Sequence, residues 1–186
     1  MVVFDFDKTL INKDTLFGFY KTVHGDGLIF KIKHFVLIVF AVFYKLKIIN
    51  NDKLKMIGIS LFLKGKTKEE IETAAINYAK TLNLNQLYEN TFLNTPKEKR
   101  IVISASPIVY LEKVFPGERV LGTLLTYRQN KVRGLKKNCY GKNKVDFLKE
   151  IVSDLNIDLV YSDSMSDKPL FEKSKKYYIV KNAKLS

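Results

Sequence analysis

The chain carries a single cysteine, Cys139, so it forms no disulfide within itself and no thiolate cluster for zinc. A reducing compartment, the cytoplasm, is the expected setting. Arginine is almost as scarce. Arg100, Arg119, Arg128 and Arg133 are the full set, and none precedes residue 100. That long first stretch therefore offers no guanidinium fork for a carboxylate or a phosphate. No signal peptide is expected, because Asp5 and Asp7 stand where an apolar segment should run. Repeats and low-complexity linkers are lacking too. Lysine is what the chain has in plenty: Lys plus Arg number 32 against 19 for Asp plus Glu, a net charge of +13. Such a surface attracts phosphorylated metabolites, nucleic acid or acidic lipid head groups, and it equally fits a solvated lysine-rich exterior. With 46% hydrophobic and 27% charged residues over 186 positions, the composition is globular and sufficient for a sizeable core.

Apolar patterning divides the chain. Residues 1–6 read as a short buried strand. From about Lys13 to Asn94 the pattern is helical. Thr67-Lys68-Glu69-Glu70 has the form of a capping box, followed by Ile71, Ala74, Ala75 and Tyr78 on one face. Asn51-Asp52 caps a segment whose predicted apolar face is Leu54, Ile57 and Leu61, with Phe62 beside it. Strand patterns return at 100–104, 120–126, 131–135, 158–161 and 177–180, with a turn at Gln129-Asn130. A helix is expected after Ser106-Pro107 and another over 142–155, with Val145, Leu148, Ile151, Val152 and Leu155 inward. The expected fold is α/β: a Rossmann-like core with a parallel sheet flanked by helices, made of residues 1–12 and 95–186, plus an all-helical cap, residues 13–94, inserted after the first strand.

The chemistry-bearing residues fall at strand ends, where open α/β sheets bind ligands. Asp5 and Asp7 lie two apart at the end of the first strand and so face the same way. Two carboxylates that close need a cation or a shared proton, and a divalent ion with oxygen ligands supplies one. One carboxylate can attack phosphorus while the other handles the proton. Taken singly, the pair also fits two surface carboxylates in a turn. Ser104 adds a hydroxyl able to bind a phosphoryl oxygen, though a serine there also fits a helix cap. Lys142 and Lys144 open a helix after Gly141, and either could offset charge. Asp163 and Asp167 bring two more carboxylates, again readable as helix caps.

The set and its order resemble the haloacid dehalogenase superfamily, in its phosphoserine phosphatase-like branch, across the whole chain. Asp5-Phe6-Asp7-Lys8-Thr9-Leu10 is similar to the family's DxDxT motif. Ser104 matches the second motif, Lys144 the third better than Lys142, and Asp163-Ser-Met-Ser-Asp167 the acidic fourth. The resemblance implies a magnesium-dependent phosphomonoester hydrolase acting on a small phosphorylated substrate through an aspartyl-phosphate. It implies Asp5 as nucleophile and metal ligand, and Asp7 as general acid/base with its carbonyl on the metal. Thr9 and Ser104 would hold the phosphoryl group, Lys144 would offset charge, Asp163 would ligate the metal, and Asp167 would ligate it or orient its shell. Asp7 argues against a dehalogenase, since relatives of that type lack the second carboxylate.

Two departures stand out. Ser162 occupies a position where glycine is common in the family. The cap lacks the arginine that resembling phosphoserine phosphatases use for the substrate carboxylate, although Asp14 could fill their acidic role. Phosphoserine is therefore not the expected substrate. The ten apolar residues 35–44 would span about 15 Å as a helix, half of a bilayer crossing. A buried cap helix is the favoured reading. Peripheral membrane contact is the alternative, as in a lipid-phosphate phosphatase of the phosphatidylglycerophosphate type, which some members of the branch resemble. A basic nucleic-acid-binding module is the non-enzymatic alternative, but the lysines are dispersed and no recognition motif appears.

Overall fold

The computed structural model describes residues 1–152, 154–181 and 184–185. Its centre is β1 (Val2–Phe4), which pairs in parallel with β2 (Arg100–Pro107) on one side and β5 (Ile157–Ser162) on the other. Val3 lies opposite both Ile101 and Val160. A strand covered on both faces reads as an unbroken apolar run, and Val-Val-Phe is one. The sheet continues with β3 (Val120–Arg128), β4 (Lys131–Lys137), β6 (Ser174–Lys181) and β7 (Lys184–Leu185) in the order β4-β3-β2-β1-β5-β6-β7. β4 and β7 are antiparallel edges, each on its neighbour. Gln129 and Asn130 turn β3 into β4 with φ of 51° and 59°, the left-handed pair that two-residue hairpin loops require.

Alternation along the strands separates two apolar layers. Phe4, Phe6 and Val102 face one, while Val3, Ile101 and Ile103 face the other. The second layer is closed by α6 (Lys142–Lys149) and α7 (Lys168–Phe171). α6 is shorter than the helix expected over 142–155. The N–H groups of Ile151 and Val152 both point at the Leu148 carbonyl, which tightens and ends it. Ile151 is consequently half exposed rather than inward, and position 153 lies outside the described residues.

The first layer is shared between the core and the helices inserted between β1 and β2. These are α1 (Leu16–His24), α2 (Leu28–Lys45), α3 (Asn51–Phe62) and α4 (Lys68–Ala79). α4 starts with the expected capping box, Thr67 and Glu70 bonding reciprocally, and buries Ile71, Ala74, Ala75 and Tyr78. α3 is capped by Asn50, and its buried face is Lys55, Gly58, Ile59 and Phe62, one position on from the face predicted. Gly58 is needed there: a Cβ would stand 2.9 Å from the Tyr20 hydroxyl. The segment after α4 is not helical again until Gln86, which leads into a π turn at Tyr88–Phe92. Phe92 meets Phe4 edge-on at 5.1 Å, so this end of the insertion packs with the sheet. Opposite β2, α5 (Ile108–Val114) follows Pro107, which caps it rather than entering its first turn.

The preference for a buried α2 is overturned. Of its residues only Phe30 is buried, and its outward face carries Leu28, Ile32 and Phe35 at 73%, 57% and 68% exposure. The helix holds down one side of the insertion and leaves the other apolar and bare. Among the described residues no helix is long and apolar enough to cross a membrane.

Candidate active site

β1 ends at Phe4 because the next carbonyl to turn inward, that of Phe6, accepts the N–H groups of Thr9, Leu10 and Ile11. Lys8, with φ of 55°, makes the turn. This places Asp5 and Asp7 at the carboxyl edge of the sheet, beside β5, where the chain's crossovers reverse direction. The same turn carries Thr9 away. Its side chain is fully enclosed and its hydroxyl finds no partner among the described residues. It does not line the pocket with Asp5, so the phosphate-holding role expected of Thr9 finds no support in its position.

Asp5 is buried. Its Oδ1 accepts from the Phe6 N–H at 2.8 Å and from Lys144 Nζ at 3.0 Å. Lys144 Nζ also donates to Asp167 Oδ2 at 2.7 Å. Gly141, at φ 56°, bends the chain into α6 so that Lys144, three residues on, faces inward while Lys142 is exposed. Of the two candidate lysines, Lys144 is the one in contact with the carboxylates. Burial pushes the Asp5 carboxyl up to about 7, opposed by Lys144 and reinforced by Asp167 and Asp7. Burial would lower the Lys144 ammonium, but the two carboxylates outweigh it and hold it above the ordinary lysine range.

Asp7 is held on its other side. Oδ1 accepts from the Thr15 N–H at 2.7 Å and the Thr15 hydroxyl at 2.6 Å. Oδ2 accepts from Ser106 Oγ at 2.6 Å and more weakly from Ser104 Oγ at 3.4 Å. Tyr110 completes the chain with a 2.7 Å hydrogen bond to Thr15 Oγ1. Burial and the nearby Asp14 push the Asp7 carboxyl up, while the Ser106 and Thr15 hydrogen bonds pull it back. A carboxyl so placed exchanges a proton readily with whatever stands in front of it.

Asp5, Asp7, Asp14, Ser104, Lys144 and Asp163 line one pocket of about 170 Å³. Of the residues singled out in the sequence, Asp167 joins this group only through Lys144, and Thr9 does not join it. Burial raises the Asp163 carboxyl, with Lys8 opposing. Among the described residues no three His, Cys, Asp or Glu side chains form a metal cage. The available side-chain oxygens are of the hard kind: Asp5, Asp163, and Asp167 Oδ1, which is buried without a partner among the described residues. Magnesium takes one or two carboxylates and keeps several waters, so this sparse set fits it.

Several contributors were not read from the sequence. Ser106 was legible, since it lies two residues beyond Ser104 on an extended strand and so shares its side. Thr15 was not, because nothing in the sequence tells which later hydroxyl folds back onto Asp7. Ser162, the departure from glycine, donates to Asp167 Oδ2 at 2.8 Å and accepts the Ser164 N–H. Cys139 lies beneath the site, fully buried, its N–H on Thr123 Oγ1.

A second cavity, of about 300 Å³, opens beside Asp7 and runs under the insertion. Leu16, Leu37, Ala41 and Leu54 line it, with Asp7, Asp14 and Lys55 as its charged groups. Lys55 donates to the Ala105 carbonyl, and burial lowers its ammonium to about 8 against the pull of Asp7, Cys139 and Asp14 and with the help of Lys144. Asn138 Nδ2 donates to Asn51 and Asp52 of α3, and the Tyr44 and Tyr140 hydroxyls meet at 3.2 Å. These contacts hold the insertion over the sheet edge.

Comparison with known proteins bears on the fold and the family. The chain is 27% identical over 179 residues to protein CicA of Caulobacter vibrioides, covering 90% of this chain and 79% of the relative. Its fold matches that of a phosphoserine phosphohydrolase-like protein from Francisella tularensis at a TM-score of 0.69 and 16% identity, over 96% of this chain and 85% of the other. It also matches a substrate-bound phosphoserine phosphatase at 0.64 and 18%, over 95% and 83%. A family model, haloacid dehalogenase-like hydrolase, matches residues 2–172, and the chain belongs to that family.

Proposed function

We propose that this chain is a magnesium-dependent phosphomonoester hydrolase that passes the phosphoryl group through Asp5. The observation that carries the proposal is the pairing of Lys144 with Asp5 and Asp167 on one side of the pocket, opposite an Asp7 held by Thr15 and Ser106. An Asp5 oxygen attacks phosphorus, forming the acyl phosphate as the bond to the leaving oxygen breaks. Asp7 gives that oxygen its proton. The Asp7 carboxylate then takes a proton from water, whose oxygen attacks the same phosphorus and releases inorganic phosphate and free Asp5. Ser104 donates to a phosphoryl oxygen, and Lys144 offsets the charge on nucleophile and substrate. Magnesium, held by Asp5, the Asp7 carbonyl and Asp163 with Asp167 behind them, would neutralise the phosphoryl charge further.

The leaving group occupies the cavity under the insertion. Its wall surface is mainly apolar, its cation is Lys55, and it has no guanidinium fork for a substrate carboxylate. Tyr20, whose enclosed hydroxyl lacks a partner among the described residues, adds one polar point. An anionic phosphomonoester with an apolar or neutral leaving group therefore suits it better than phosphoserine. The test is a turnover screen of purified protein across lipid, sugar, nucleotide and amino-acid phosphomonoesters, with and without magnesium. Magnesium-dependent turnover that favours apolar leaving groups is expected. Undiminished turnover after exhaustive chelation, or phosphoserine as the best of the set by kcat/KM, overturns the respective half of the proposal.

A further inference from the structure

The outward face of α2 has no use in the chemistry above. Leu28, Ile32, Phe35, Val39, Val42 and Leu46 follow one another at spacings of four and three and are between 38% and 73% exposed. With Ile29 and Ile38 on its flanks, this face covers roughly half the helix circumference at 3.6 residues per turn. A coiled-coil seam is narrower than that. Between Gly27 and Asn50 the chain has no acidic residue, and Lys31, Lys45 and Lys47 are exposed beside the stripe. A wide apolar face edged with lysines on a chain of net charge +13 is complementary to an anionic bilayer surface. It is poorly suited to a second copy, whose lysines and net charge would repel it. The opposite face of the same helix supplies Leu37 and Ala41 to the cavity that runs to Asp7. One helix thus stands between the outside and the leaving-group site.

We propose that α2 lies in the head-group plane of an anionic membrane, and that the substrate is a membrane amphiphile bearing a phosphomonoester. The second half rests on the phosphomonoesterase reading; the first does not. The apolar stripe enters the boundary between head groups and acyl chains while the lysines meet the lipid phosphates. The lipid's phosphate is then within reach of the pocket under α2, and its apolar part finds the aliphatic walls.

Co-sedimentation tests the docking. The full chain is mixed with vesicles of phosphatidylcholine alone, or of phosphatidylcholine and phosphatidylglycerol in equal parts, at low and high salt. The wild type should pellet with the anionic vesicles, less so at high salt. I32E/F35E should lose binding by about tenfold or more while turning over p-nitrophenyl phosphate like the wild type. Wild-type protein left in the supernatant with anionic vesicles at low salt overturns the docking. So does a double variant that still pellets, or a wild-type dimer that the variant dissociates and that ignores vesicles. The substrate half is read separately, from kcat/KM on phosphatidate in the anionic vesicles against glycerol 3-phosphate in solution. A preference for the lipid, lost in I32E/F35E, is expected. Equal values on the two substrates overturn the substrate assignment and leave the docking standing. A chain that pellets but hydrolyses no phosphomonoester overturns the function proposed above and not the surface.

Discussion

The floor of the pocket and its roof are built on opposite terms. In the floor, at the carboxyl end of β1, Asp5, Asp7 and Lys144 are each held more than once. Lys144 bridges two carboxylates, and Asp7 receives four hydrogen bonds. In the roof, α2 shows apolar side chains to the outside and, among the described residues, makes a single hydroxyl contact with the core, between Tyr44 and Tyr140. Buried charge tolerates no loose arrangement, since an unpaired buried group costs more than a satisfied one returns. An exposed apolar face carries no such penalty and is free to be set by what it meets. On the function proposed above, reaction type is written into the floor and selection into the roof.

Substitutions can break this contrast or sharpen it. Asp5→Asn should reduce turnover by several orders of magnitude with the circular dichroism spectrum unchanged, because it removes the nucleophile and keeps the shape. Substantial residual turnover would remove Asp5 from that role. Lys144→Met should also abolish turnover, and it should destabilise the fold by about 3–5 kcal/mol in urea unfolding, since Asp5 and Asp167 are left buried without their cation. A loss under 1 kcal/mol, on the order of an exposed ion pair, would mean that the network is less enclosed than its geometry indicates. Ser106→Ala withdraws one charge-assisted hydrogen bond from Asp7, and a roughly tenfold to hundredfold fall in kcat with little change in KM is expected. A change confined to KM would place Ser106 on the substrate instead.

The roof should respond differently. The Lys55 ammonium, lowered to about 8 by burial, loses its proton as pH rises through that value. An anionic substrate then loses its cation, so kcat/KM should fall on the alkaline side of about 8. Lys55→Met should be lower throughout and lack this limb; an unchanged limb would assign it to another group. Smallest of all, Phe35→Ser on the outward face should alter urea stability by less than about 0.5 kcal/mol. A larger loss would show that α2 packs more firmly than its 68% exposed phenylalanine implies.

The same divide marks what could be read from the sequence. Asp5, Asp7, Ser104 and Asp163 were legible because each follows an apolar run, and strand ends in an α/β sheet converge without any knowledge of the contacts. The capping box of α4 was legible because its partners are three residues apart. Thr15 was hidden because its bond to Asp7 depends on how the insertion leaves the sheet. Thr9 was named by the motif alone, and it lies past the end of the strand, in the turn closed by the Phe6 carbonyl. The buried face of α3 was misplaced by one residue because Lys55, a charged side chain, and Gly58, a side chain of no size, hold inward positions that hydropathy assigns outward. α2 was misjudged because an apolar run reads the same whether other side chains cover it or not.

Cys139 sits under this floor as the chain's one thiol, fully enclosed, with burial pushing it up to about 12. A thiol-directed reagent in neutral buffer meets almost no thiolate and no path to it while the structure stays closed. The rate of labelling is therefore a clock for opening of the layer beneath the pocket. Because Lys144 and Asp5 are among its electrostatic neighbours, anything that loosens their pairing should quicken that clock before the chain as a whole unfolds.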